Sequence, residues 1–169
     1  MPSLNGSLFV LCAFCATKLF AAVNFEDFYD LDGFSMHCGT HAVLLCLAEK
    51  ELGGMENFAA VDEFLDPDGD GTTSFSLIIE CLDAYGVKAT GYRGTLSDLA
   101  VGGEFILQIK LRGEPHFSYT QIDTETADVS IFDPAIGSNS LTVSLEDLGK
   151  VWSGNFIEIS TTTIHASKI

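Results

Sequence analysis

The sequence predicts an α+β domain in which N-terminal helices pack on a C-terminal antiparallel sheet. Three observations carry that expectation. Apolar residues recur at helical spacing through the first half of the chain, and short alternating runs separated by turn residues fill the second. The chain has 169 residues, 47% of them hydrophobic, which is the size and composition of one domain with a real core.

Taken in order, Leu8 to Ala16 form an apolar run that Lys18 interrupts before LFAAV. The run is too short and broken for a membrane span. Its position and the small residues Ala21 and Ala22 fit a signal peptide, yet MPSLNGS carries no basic side chain and no A-x-A site follows. An anchor or an amphipathic docking helix fits equally. Residues 1–23 are therefore set apart, residues 24–160 are read as the domain, and 161–169 as a polar tail holding His165. The segment would place the protein outside the cell or at a membrane; without it the protein would be cytoplasmic.

CGTHAVLLCLAEKELGG has helical spacing, with Val43, Leu44, Cys46 and Leu47 on one stripe and Gly53-Gly54 as its end. Its last eight residues also resemble a double-glycine leader, but a core-forming helix cannot double as one. MENFAAVDEFL reads as a second helix through Phe58, Val61, Phe64 and Leu65, and SFSLIIECLDAYG as a third, with Thr72 or Thr73 as N-cap. VKATGYRG is then a strand and TLSDL a capped turn. EFILQIKL and HFSYTQID are partner strands across R-G-E-P, and ADVSIFDPA is a further strand stopped by Pro134. SLEDLGKVW, capped by Ser144, is a short helix before the closing strand NFIEIS.

Twenty-four acidic residues face eight basic ones, a formal charge of -16. Such a field repels phosphate backbones, which argues against nucleic acid as a partner and favours cationic or neutral ligands. Of the five cysteines, Cys12 and Cys15 lie in the apolar N-terminal run, and Cys46 and Cys81 in apolar helical stretches where a thiol is a small hydrophobe. Cys38 differs. It opens a helix after a polar loop, where the positive end of the helix dipole favours a thiolate.

A cysteine nucleophile needs a base in reach and a group to orient that base. His116 begins one strand and Asp133 ends the next; pairing the two antiparallel sets them side by side. Singly, His116 and Asp133 are ordinary turn residues, and their convergence with Cys38 is what makes a candidate catalytic set. His37, Cys38 and His41 lack the second ligand pair that a metal site needs, and His41 is expected to point away from the site. No cofactor or metal is expected.

The motifs M-H-C-G-T-H-A and D-G-T-T-S at two helix starts, A-Y-G-V-K-A-T-G-Y, P-H-F-S-Y, I-F-D-P-A-I-G, L-E-D-L and W-S-G together resemble the peptidase C39 family over about Gly33 to Ile159. The resemblance implies a papain-like fold, cleavage of leader peptides after Gly-Gly, and an association with bacteriocin-exporting ABC transporters. It maps Cys38 to the nucleophile, His116 to the base and Asp133 to the orienting acid. No G-x-x-x-x-G-K-[ST] occurs, so a transporter partner is expected as a separate chain. Two positions depart from the family. Asp32 stands where the family has the Gln that helps hold the oxyanion, and His37 where Asp commonly precedes the cysteine. The Asp32 departure supports a rival reading, an inactive or weakly active domain that binds leader or partner peptides; a transglutaminase-like acyl transferase is a third.

Asp66, Asp68, Asp70 and Gly71 match the opening of an EF-hand-like calcium loop, but its twelfth position is Leu77 instead of Glu. The preferred reading is an acidic turn capping the third helix.

Overall fold

The computed structural model describes Phe25, residues 37–136 and residues 140–160. Expectations for residues 1–23, Asp32 and the tail with His165 fall outside the described residues. Among the described residues, no helix is long and apolar enough to cross a membrane.

Three helices come first: α1 Cys38–Glu49, α2 Phe58–Leu65 after a 3-10 turn at Met55–Asn57, and α3 Phe75–Ala84. The α1 stripe behaves as its spacing predicts, with Val43, Leu44, Cys46 and Leu47 all buried. Its end does not. The helix stops at Glu49, well before Gly53, because Glu51 takes a left-handed conformation (φ 57°) while Glu51 N–H donates to Ala48 O and Leu52 N–H to Leu47 O. That is a Schellman closure made without glycine. Lys50, tied to Glu104 at 2.7 Å, pulls this end of the helix onto the sheet. On α2 only Val61 and Leu65 are buried, and Phe64 is exposed. The cap of α3 is Ser74, whose hydroxyl accepts from Leu77 N–H, in place of Thr72 or Thr73.

The second half forms β1 Ala89–Arg93, a helical turn α4 Leu96–Leu99, β2 Gly103–Leu111, β3 Glu114–Ile122, β4 Val129–Phe132, β5 Ser140–Val143, α5 Leu145–Val151 and β6 Trp152–Ile159. All six strands join one antiparallel sheet in the order β1-β6-β2-β3-β4-β5. Two features lie beyond the strands expected from sequence. β5 is an additional strand, and β6 returns to lie between β1 and β2 instead of extending the meander.

Both faces of the sheet are covered. Along β2 the alternation of a strand sends Ile106 to the helix side, with Leu47, Val61, Leu65, Ile78, Leu82, Tyr119 and Ile157. Phe105, Leu107 and Ile109 go to the other side, with Leu99, Ile131, Val143 and Leu148. The helix-side cluster seats α1 on β3, and this contact positions the site. This is a papain-like α+β fold.

Candidate active site

Cys38 is the first residue of α1 and is partly exposed. Gly39 is required beside it, because a β-carbon there would lie 2.3 Å from the Thr73 methyl. The first turn of α1 is thus pressed directly against the loop before α3.

β3 and β4 pair antiparallel with Tyr119 opposite Phe132, so Ser118 and Asp133 meet one step further along. His116, two residues before Ser118, shares its side of the strand. His116 Nε2 lies 2.5 Å from Asp133 Oδ2, and the Ser118 hydroxyl donates to the same oxygen at 2.8 Å. Asp133 Oδ1 accepts from Ala135 N–H at 2.9 Å, the turn that Asp-Pro-Ala favours. The carboxylate is held at both oxygens before the imidazole is counted.

With Nε2 taken by Asp133, Nδ1 is the nitrogen left to face the thiol. His116 is 1% exposed. Burial alone pushes its pKa down, but hydrogen bonds with Asp133 and Cys38, reinforced by their charges, carry it up to about 9. Imidazolium is therefore the form these neighbours favour at neutral pH. By contrast, burial pushes the Cys46 thiol up to about 12 and the Cys81 thiol up to about 11, as expected of inert helical cysteines.

His41 is half-buried one turn into α1. Its ring lies against Phe58 of α2, with centroids 5.6 Å apart, and its pKa is lowered, mainly by burial. His37 is fixed by a residue that the sequence did not single out. His37 Nδ1 is 2.7 Å from Asp62 Oδ1 on α2, and the Thr40 hydroxyl donates to that oxygen at 2.7 Å.

Ligand atoms of Asp66, Asp68 and Asp70 lie within 4.8 Å of one another. Both Asp66 oxygens accept backbone N–H groups of Asp70 and Gly71, and Asp70 accepts from Thr72. The loop closes on itself as an acidic turn.

A partly exposed cysteine at a helix start, facing a histidine that a buried aspartate holds, is an arrangement suited to thiol chemistry on a papain-like frame. The model of the peptidase C39 family matches residues 33–164, and the chain belongs to that family. Among solved structures, it is similar to a double-glycine-motif protease of an AMS/PCAT transporter in complex with the leader peptide. That match has 19% identity, covers 76% of this chain and 86% of that one, and has a TM-score of 0.62. It is also similar to the peptidase domain of Streptococcus ComA, a bifunctional ABC transporter of a quorum-sensing pathway. Here identity is 18%, coverage 75% and 93%, and TM-score 0.59. No curated protein sequence matches.

Proposed function

We propose that the chain is a cysteine peptidase that hydrolyses peptide bonds with Cys38 as nucleophile, His116 as base and acid, and Asp133 as the group that orients the histidine. The observation carrying this reading is the buried His116–Asp133 pair at 2.5 Å facing the Cys38 thiol.

The Cys38 thiolate attacks the peptide carbonyl, and the oxyanion meets backbone N–H groups at the α1 start. His116 gives its proton to the leaving amine as the C–N bond breaks, leaving a Cys38 thioester. Neutral His116 then takes a proton from water, whose hydroxide attacks the thioester. Collapse frees the acid and returns the thiolate–imidazolium pair. The substrate is a peptide, and the net charge of -16 favours a cationic one. The match to a double-glycine protease bound to a leader peptide supports cleavage after Gly-Gly, and the transporter context of both neighbours supports an ABC transporter as partner.

The competing reading is a domain that binds such peptides without cutting them, and Asp32 is what favours it. A carboxylate there would oppose the oxyanion, where a lost donor costs about 3–4 kcal/mol of barrier.

Iodoacetamide labelling followed by peptide mapping separates the two, read together with mass analysis of a synthetic double-glycine leader. Fast modification of Cys38 at neutral pH, slowed by about a hundredfold in His116→Ala, is the expected result. A leader cut after Gly-Gly completes it. Slow labelling indifferent to His116, with an intact but bound leader, establishes the binder and sinks the peptidase.

A further inference from the structure

We infer that Asp62 is a positioning residue for the Cys38 nucleophile, clamping the first turn of α1 from α2; the inference rests on the peptidase reading. The start of α1 needs such help. Its N-cap residue His37 makes no side-chain cap, and its first turn contains no acid to complement the dipole. Asp62 supplies the missing anchor from outside the helix. One oxygen, Oδ1, engages His37 immediately before Cys38 and Thr40 two residues after it, each at 2.7 Å.

The two bonds bracket the nucleophile. Thr40 is 2% exposed, so its hydroxyl has little access to water that could take the place of Asp62. The Phe58 ring on α2 closes the same contact, lying 5.6 Å from both the His37 and His41 rings. The Thr73 methyl presses on Gly39 as well, leaving this turn little room to shift.

Asp133, just past the end of β4, fixes the base; the helix turn that carries the sulfur is held from elsewhere. The Cys38 side chain can follow any displacement of its own turn, and a misplacement of about 1 Å can cost a reaction about a hundredfold. Asp62 has no role in proton transfer here. It acts through the backbone that carries Cys38.

The test uses the full chain and iodoacetamide at a fixed neutral pH, with Asp62→Asn, Asp62→Leu and Thr40→Val beside the wild type. Asn keeps the Oδ1 acceptor and should label Cys38 within about threefold of wild type, whereas Leu, of similar size, should fall by about tenfold or more. Thr40→Val should fall between them. Rescue by Asn distinguishes positioning from general loosening, which thermal melts of each variant measure separately. If folded Asp62→Leu labels like wild type, or Asn and Leu lose alike, the inference is overturned. Should Asp62→Leu not fold, wild-type labelling of folded Thr40→Val overturns it instead. A wild-type Cys38 that is itself unreactive or indifferent to His116→Ala removes the peptidase reading and this inference with it. A reactive, His116-dependent Cys38 that ignores Asp62 removes this inference alone.

Discussion

Cys38 stands between two histidine–aspartate pairs built from the same groups in different surroundings. In the pair on the sheet, His116 and Asp133 side chains are 1% and 5% exposed; in the pair on the helices, His37 and Asp62 are 36% and 24% exposed. Exposed ion pairs contribute about 0–1 kcal/mol, whereas cutting one partner from a buried pair costs about 3–5 kcal/mol because the other charge is stranded. The sheet pair therefore sets a protonation state and a share of stability. The helix pair is part-exposed and contributes little as an ion pair, so its weight falls on geometry. Burial decides which role a histidine–aspartate contact plays.

The largest effect that can break this comparison comes from removing Asp133. Asp133→Ala strands a buried imidazole beside the thiol and leaves Ala135 N–H without its acceptor. Urea unfolding should show a loss of about 3–5 kcal/mol, and Cys38 labelling should slow by about a hundredfold. Asp62→Ala should cost less in the same unfolding measurement, about 1–3 kcal/mol, chiefly because the buried Thr40 hydroxyl loses its acceptor. Equal losses at the two positions would mean that burial is not what separates them.

The two pairs were unequally legible in the sequence. His116 and Asp133 could be brought together by strand reasoning, since alternation and a short turn between adjacent strands leave few registers. Asp62 could not. Its partners lie across a helix–helix contact whose crossing and rotation depend on how Phe58, Val61 and Leu65 pack, and no spacing rule encodes that. The sequence did carry one clue, His37 standing where the family commonly has Asp, and the structure answers it with a carboxylate from α2. β5 escaped notice because four residues, Ser140–Val143, are too few to show alternation before the Ser144 cap. The insertion of β6 beside β2 is long-range pairing, legible only once the sheet exists. Glu51, closing α1 in a left-handed conformation ahead of two glycines, shows tertiary anchoring by Lys50 overriding propensity.

A smaller effect separates the histidines by pH. The folded pKa of His116, about 9, lies above the ordinary 6.5, so between these values the folded protein binds more protons than the unfolded chain. Its contribution is complete below about pH 6.5 and is lost as pH rises toward about 9, a decline of a few kcal/mol. His41 runs the other way: its pKa is lowered, mainly by burial, so its contribution is lost as pH falls below the ordinary 6.5. Urea midpoints across this range should peak between the two slopes. His116→Gln should flatten the alkaline side and leave the acid side in place; an unchanged alkaline slope would assign that decline to another group.

The smallest effect concerns the sheet pair alone and asks whether its geometry or its charge matters more. Ser118→Ala removes one of the hydrogen bonds to Asp133 while Ala135 N–H still holds the other oxygen and the His116 contact is untouched. A buried bond to a charged acceptor contributes about 1.5–3 kcal/mol, so stability should fall by that order. Cys38 labelling should change by less than about threefold, because the carboxylate keeps its charge and most of its orientation. A collapse of labelling as large as that of Asp133→Ala would show that Ser118 aims the carboxylate. The sheet pair would then depend on a third residue for geometry, as the nucleophile is inferred to depend on Asp62.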